Sequence, residues 1–260
     1  MKYRINVGVT TNKGSYRNHN EDNFLYNGIY LKNTKEDTSV RGKCKIPMLF
    51  AVCDGMGGSE HGKEASFTAI DVLNRSYDSL NEVDKDIILQ ELDQLIKKVN
   101  LSVYSLEQQG KKTGCTLALV YLHTDKIYIA NVGDSRIYRY AEHELVQLSI
   151  DHNQAQDMLG FGLRIGGQNK KKNVLTQYIG MSPREVIIEP HYETIEYDDM
   201  TLLLCSDGLS EVLSQEEMTD IILKYQNNNL KDATNCLVAQ AIEQGARDNL
   251  TAMLVKIYKR

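Results

Sequence analysis

No run of the roughly 18 consecutive apolar residues that a membrane-spanning helix needs occurs in these 260 residues. The longest apolar stretches, such as Leu117 to Leu122, have the length of strands. The N-terminus, Met1-Lys2-Tyr3-Arg4-Ile5-Asn6-Val7, has no apolar core of a secretion signal, so a cytoplasmic location is expected. No C-x-x-C pair is present. The five cysteines (Cys44, Cys53, Cys115, Cys205, Cys236) are an odd set, which fits reduced thiols and supports neither a zinc site nor a disulfide framework. Cys53, Cys115 and Cys205 sit in apolar runs and read as small buried hydrophobes. A basic excess is missing too: the net charge is −5, against the habit of nucleic-acid binders. Only three prolines occur, and no linker, repeat or low-complexity tract interrupts the chain, so one domain is the simplest organisation. No exposed heptad or apolar stripe calls for a second copy, and a monomer is expected.

What is present is an ordinary globular balance, 42% hydrophobic and 25% charged, in a chain long enough to bury a substantial core. Strand-like runs come first, at 3–10, 24–31 and 47–53. Two helical patterns follow, at about 62–80 and 84–108; the second carries Ile88, Leu92, Leu95, Ile96, Val99, Val103 and Leu106 along one face. Strands return at 115–122, 126–132, 136–140 and 144–148. After a less regular stretch at 151–172, strands are expected at 174–179, 185–197 and 201–205. Helices are expected at 215–225 and 230–244, and a last strand at 250–258. Runs of strands and helix pairs, rather than alternating units, predict an α+β domain of antiparallel sheets covered by helices.

Acidic residues recur where strands end or begin. Leu49 to Cys53 leads into Asp54-Gly55, Leu202 to Ser206 into Asp207-Gly208, and Ile127 to Val132 into Gly133-Asp134. Glu21-Asp22 precedes the strand from Phe24, and Asp248 the strand from Leu250. Any one of these is explained by turn chemistry, since Asp-Gly is a common turn pair. Five together are harder to explain that way. If they meet at one sheet edge, the carboxylates repel, and hard divalent cations relieve the repulsion. Oxygen ligands without local His or Cys suit Mg²⁺ or Mn²⁺ rather than Zn²⁺. Two such ions can acidify a water and hold a phosphoryl group for in-line attack. Arg17, four residues before Glu21, offers a guanidinium fork for phosphate oxygens.

Six segments then occur in one order: Arg17-Asn18-His19-Asn20-Glu21-Asp22, Val52-Cys53-Asp54-Gly55-Met56-Gly57-Gly58, Gly114-Cys115-Thr116, Asn131-Val132-Gly133-Asp134-Ser135-Arg136, Cys205-Ser206-Asp207-Gly208-Leu209 and Arg247-Asp248-Asn249-Leu250-Thr251. Each is weak alone. Together they resemble the metal-dependent protein phosphatases, the PPM or type-2C family, in its compact bacterial form, over nearly the whole chain.

The resemblance implies a four-layer sandwich, two central antiparallel β-sheets flanked by pairs of helices, with residues 1–260 as a single phosphatase domain. It implies hydrolysis of phosphoserine and phosphothreonine on proteins by a metal-bridged water, with two Mn²⁺ or Mg²⁺ ions in the core site and a third, weaker one in many members. Asp54 would bridge the two ions, Asp207 and Asp248 would complete the first site, and Glu21 with the carbonyl of Gly55 would serve the second. Asp134, sharing Asp207, would help hold the third. Asp22 would hold waters behind the ions, and Arg17 would bind the substrate phosphate.

The partners implied are phosphorylated proteins that a serine/threonine kinase has modified. Met56 stands where many eukaryotic members carry a histidine proposed as general acid, so the proton donor is left open. Residues 153–173 correspond to the family's variable flap, glycine-rich at 160–167 and basic at Lys170-Lys171-Lys172. Two other readings remain, a catalytically inactive scaffold of the same fold and a small-metabolite phosphatase. The scaffold reading is disfavoured because Glu21, Asp54, Asp207 and Asp248 are all present.

Overall fold

A computed structural model describes residues 3–32, 37–57, 61–107, 113–160, 174–226 and 229–259. The elements run β1 (Tyr3–Asn12), β2 (Asn23–Tyr26), β3 (Thr38–Cys44), β4 (Met48–Cys53), β5 (Gly55–Met56), α1 (His61–Ser76), α2 (Ile88–Tyr104), β6 (Gly114–Cys115), β7 (Leu117–Leu122), β8 (Ile127–Val132), β9 (Arg136–Ala141) and β10 (Glu144–Gln147). They continue with α3 (Gln154–Gly160), β11 (His191–Ile195), β12 (Met200–Cys205), α4 (Asp207–Ser210), α5 (Gln215–Tyr225), α6 (Leu230–Glu243) and β13 (Leu250–Lys259).

The strands pair antiparallel into a six-stranded sheet, β10-β9-β12-β13-β1-β3, and a five-stranded sheet, β11-β8-β7-β4-β2, with β5 and β6 as a separate short pair. Side-chain alternation fixes the layers. In β4, Met48, Phe50 and Val52 face a core shared with Ile5, Leu202 and Val255 of the other sheet, while Leu49, Ala51 and Cys53 face a core shared with Ile70, Leu73, Leu92 and Ile96 of α1 and α2. In β12, Leu202 and Leu204 join the middle core, and Leu203 and Cys205 face Ile221, Leu237 and Val238 of α5 and α6. Three cores thus separate four layers: helices, sheet, sheet, helices. Sheets buried on both faces explain why β4, β7 and β12 read as unbroken apolar runs rather than alternating ones.

Several expected elements end elsewhere. The helix expected at 215–225 is α5, started by a capping box in which Ser214 and Glu217 serve each other's backbone amides. The strand expected at 24–31 stops at Tyr26, because Asn27 and Gly28 take positive φ and turn the chain back so that Ile29 bonds Tyr26. The one at 185–197 is only β11. Residues 174–179 form no strand: their backbone makes two isolated bridges, Leu175 to Asn153 and Ile179 to Cys115. The two long helices are α1 and α2, with 3-10 turns at Tyr77–Glu82 and Lys85–Ile87 between them. β3 was not expected. Of the flap, 153–160 includes α3, whereas 161–173, with the lysine run and most of the glycines, lies outside the described residues, as does Gly58.

Candidate active site

Register carries the acidic segments to one edge of the sandwich. The end of β4 lies beside the start of β2 (Cys53 opposite Asn23). The end of β12 lies beside the start of β13 (Cys205 opposite Ala252), and the end of β1 beside the same start (Asn12 opposite Leu250). The end of β8 lies beside the start of β7 (Val132 opposite Leu117). The loops that leave these ends therefore open onto a common cleft of about 400 Å³.

Arg17, Glu21, Asp54, Gly55, Asp134, Asp207 and Asp248 all line the cleft, with Met56, Thr116, Leu175 and Tyr178. Asp22 does not. It is wholly buried behind the wall, where its Oδ2 accepts hydrogen bonds from Ser206 Oγ at 2.7 Å and Thr251 Oγ1 at 2.6 Å.

The backbones of Glu21 and Asp54 are held by neutral neighbours. Asn249 accepts the Glu21 amide at 2.8 Å and donates to the carbonyls of Lys13 and His19, both at 2.9 Å, so one side chain fixes the 13–21 loop against Asp248. Ser66 of α1 donates to the Glu21 carbonyl at 2.6 Å. Thr116 accepts the Asp54 amide at 2.9 Å and bonds Ser135 at 2.6 Å, tying Asp54 to the loop that carries Asp134. Two glycines allow the crowding. A Cβ at Gly62 would stand 2.2 Å from Glu21 Oε2 and 2.8 Å from the Gly55 carbonyl, and one at Gly208 would stand 2.0 Å from the Asn249 carbonyl oxygen.

The electrostatics are those of an acidic cluster with too little positive charge. Burial first, then repulsion from Asp22, Asp207 and Asp248, pushes Asp54 well above the usual carboxylate range. Burial and Asp248 push Asp207 upward against a hydrogen bond with Asp54. Burial raises Glu21 as well, and drives Asp22 and Asp134 each up to about 7. Arg17 is the cation facing them. It bonds Asp248 Oδ2 through Nη2 at 2.6 Å, with half of its side chain still exposed to the cleft mouth. That bond, outweighing partial burial, holds the guanidinium charge more firmly.

The buried Oδ1 atoms of Asp22 and Asp207 have no hydrogen-bond partner, an arrangement that costs free energy unless something positive completes it. All the donors are oxygens, and hard divalent cations fit such a set. Among the described residues no three His, Cys, Asp or Glu side chains already form a closed ligand set, so an ion would have to draw the carboxylates together.

The supporting residues Ser66, Gly62, Ser206, Thr251, Asn249 and Thr116 were not singled out as site residues from sequence. Four of them stand next to or within the acidic segments: Thr116 in the Gly-Cys-Thr segment, Ser206 beside Asp207, and Asn249 and Thr251 just after Asp248. Gly62 and Ser66 gave no comparable signal.

The sequence model described as "Protein phosphatase 2C" matches residues 10–157 and 164–250. The serine/threonine phosphatase stp of Listeria monocytogenes serotype 4b (strain F2365) is 29% identical over 253 residues, covering 95% of this chain and 93% of that protein. Protein phosphatase PhpP of Streptococcus pneumoniae serotype 2 (strain D39 / NCTC 7466) is 28% identical over 263 residues, covering 97% and 98%. Among solved structures, the serine/threonine phosphatase of S. agalactiae superposes with a TM-score of 0.82 at 25% identity, over 98% of this chain and all of that one. The catalytic domain of PstP in complex with two manganese ions shares the fold, with a TM-score of 0.77 at 22% identity over 99% and 100%.

Proposed function

The chain belongs to the protein phosphatase 2C family, and from that premise we infer that it is a metal-dependent protein phosphatase acting on phosphoserine and phosphothreonine at the acidic cleft. The observation that carries the location is the convergence of Glu21, Asp54, Asp134, Asp207 and Asp248 with Arg17 on one cavity. The reading takes residues 1–260 as one catalytic domain with a flap at about 153–173.

Asp54, Asp207 and Asp248 would hold one divalent ion, Asp54 with Glu21 and the Gly55 carbonyl a second, and Asp134 with Asp207 a third and weaker one. Mn²⁺ and Mg²⁺ both suit these ligands. The bound ions would supply charge neutralisation and an acidified water near neutral pH.

The chain's own groups do the rest. Arg17 exchanges its Asp248 partner for the substrate's phosphate oxygens, offering paired N–H donors to two of the three equatorial oxygens. Its exposure at the mouth lets it meet the substrate first. Asn249 and Ser66 hold the backbone of Glu21, and Thr116 that of Asp54, so the acids need little reorganisation when the substrate arrives. Asp22 fixes the start of β13 through Thr251 and the end of β12 through Ser206, and so braces the wall behind the acids. Met56 lines the cleft with a thioether that has no proton to give, so the leaving serine or threonine oxygen takes its proton from elsewhere. The substrates are phosphorylated proteins, and a serine/threonine kinase of the same cell would supply them. The proposal places a monomer in the cytoplasm, with neither nucleic acid nor membrane as a partner. No described helix is long and apolar enough to cross a membrane.

The test is phosphate release from a phosphothreonine peptide, with Mn²⁺ and with EDTA, by the wild type and by Asp207→Ala. Release that needs the ion and is lost in a folded variant supports the reading. Release that persists in EDTA, or in Asp207→Ala and Asp248→Ala alike, refutes it.

A further inference from the structure

A second groove adjoins the catalytic cleft, and Tyr178 lines both. It encloses about 190 Å³. Its apolar walls are Tyr104, Met181 and Val186, and its charged residues are Glu107 and Glu185. No Lys, Arg or His is among its described lining residues, and no described cation forms an ion pair with either glutamate.

The groove is built on fixed backbone. Ile179 and Cys115 exchange amide hydrogen bonds at 2.9 and 2.8 Å. Asn100 of α2 accepts from the Gly180 amide at 2.7 Å and donates to the Met181 carbonyl at 3.0 Å. Glu107 follows α2 and bonds back to Tyr104, and Glu185 sits in a turn whose amide reaches Ser182 at 3.1 Å.

A polypeptide that presents a phosphorylated side chain to the cleft must lay its flanking residues across the surrounding surface. An extended chain advances ~3.3 Å per residue, so about two residues carry it across one tyrosine ring. What it meets past Tyr178 is a short apolar trough with two glutamates that no described cation pairs. A lysine or arginine suits that trough: its aliphatic stem packs on Tyr104, Met181 and Val186 while its charged head reaches the carboxylates. We propose that this groove seats a flanking side chain of the substrate and selects phosphoproteins with a basic residue near the phosphorylated serine or threonine. The inference rests on the phosphatase reading. It adds a second pole to recognition, with Arg17 for the phosphate and Glu107 and Glu185 for a cation beside it.

The test uses the full chain with saturating Mn²⁺ and phosphothreonine peptides that differ only in carrying Arg, Ala or Glu two or three residues to either side. p-Nitrophenyl phosphate, which has no flanking residues, reports the cleft alone. The expected result is a kcat/KM for the Arg peptide about tenfold above the Glu peptide on one side, carried by KM and shrinking in 0.5 M salt, as two exposed ion pairs would give. The double variant Glu107→Lys/Glu185→Lys should reverse that order, and Glu107→Gln/Glu185→Gln should flatten it, with p-nitrophenyl phosphate turnover unchanged in both. Equal rates for Arg and Glu peptides on both sides, or the wild-type order retained in the Lys variant, would overturn the inference and leave the phosphatase reading standing. A wild type inert toward p-nitrophenyl phosphate and every peptide would overturn both.

Discussion

Gly62→Ala adds one methyl group against two proposed metal ligands and should disable the enzyme. Gly62 is the second residue of α1, where its missing side chain leaves room for Glu21 and for the Gly55 carbonyl. The new methyl would lie 2.2 Å from Glu21 Oε2, and ordinary contact begins at 3.4 Å, so the carboxylate must retreat by about 1.2 Å. The Gly55 backbone, at 2.8 Å, must move by about half as much. Both groups are proposed ligands of the same ion. A displacement of about 1 Å at a reacting centre can cost on the order of 100-fold in rate.

Stability responds differently, because alanine gains up to ~1 kcal/mol over glycine inside a helix and offsets part of the clash. The expectation is a melting temperature within a few degrees of wild type, an Mn²⁺ half-saturation raised at least tenfold and a kcat/KM down about 100-fold. The assay is p-nitrophenyl phosphate hydrolysis titrated with Mn²⁺, beside thermal melts in EDTA. A variant with Mn²⁺ titration and kcat/KM both within threefold of wild type would refute the claim that this contact sets the geometry of Glu21.

Three further outcomes follow from contacts described above or from their neighbours. Asn249→Ala removes the acceptor for the Glu21 amide and the donor to two loop carbonyls, and should weaken activation by Mn²⁺ about tenfold; unchanged activation would mean the 13–21 loop is held otherwise. Arg136 of β9 reaches Asp151 through two nitrogens, the shorter bond at 2.7 Å, and Asp151→Ala should cost about 3 kcal/mol and lower the melting temperature by roughly 6–12 °C; a shift under 2 °C would show the pair to be neutral. In EDTA, Asp22 and Asp134, which rise to about 7 on folding, hold protons between about pH 4 and 7 that the unfolded chain has released, two groups against the one opposing His152 that burial lowers. Stability without ions should therefore fall as pH rises through that window, and excess Mn²⁺ should flatten the slope; a melting temperature in EDTA that climbs from pH 5.5 to 8 would contradict this.

Much of the layered fold was legible in the sequence because its signals are local. The stripe from Ile88 to Val103 declares its helix within a few residues. β3 escaped notice because, at a sheet edge, Val40 and Cys44 are the apolar side chains among Thr38, Ser39, Arg41, Gly42 and Lys43. Residues 174–179 looked like a strand but spend their hydrogen bonds on two isolated bridges. At the site, the acids announced themselves as charges at the ends of apolar runs. The groups that hold them carried no sign of which acid they hold. Ser66 reaches Glu21 across 45 positions and Asn249 reaches it across 228, and nothing in a neutral side chain or a glycine points to a partner so remote.

Those remote partners bear on how the protein is made. β13, the last strand, lies between β12 and β1 inside the six-stranded sheet and pairs with β1 from Tyr3 opposite Lys259 to Asn12 opposite Leu250. A chain still on the ribosome has its first strand and four of the five cleft carboxylates before it has the strand that joins them. Asp248 and Asn249, which clamp the loop of Arg17 and Glu21, arrive after the other cleft acids. A chain synthesised only as far as β12, or clipped before Asp248, would therefore present a split sheet and an acidic cluster without the strand and the Asn249 clamp that complete it.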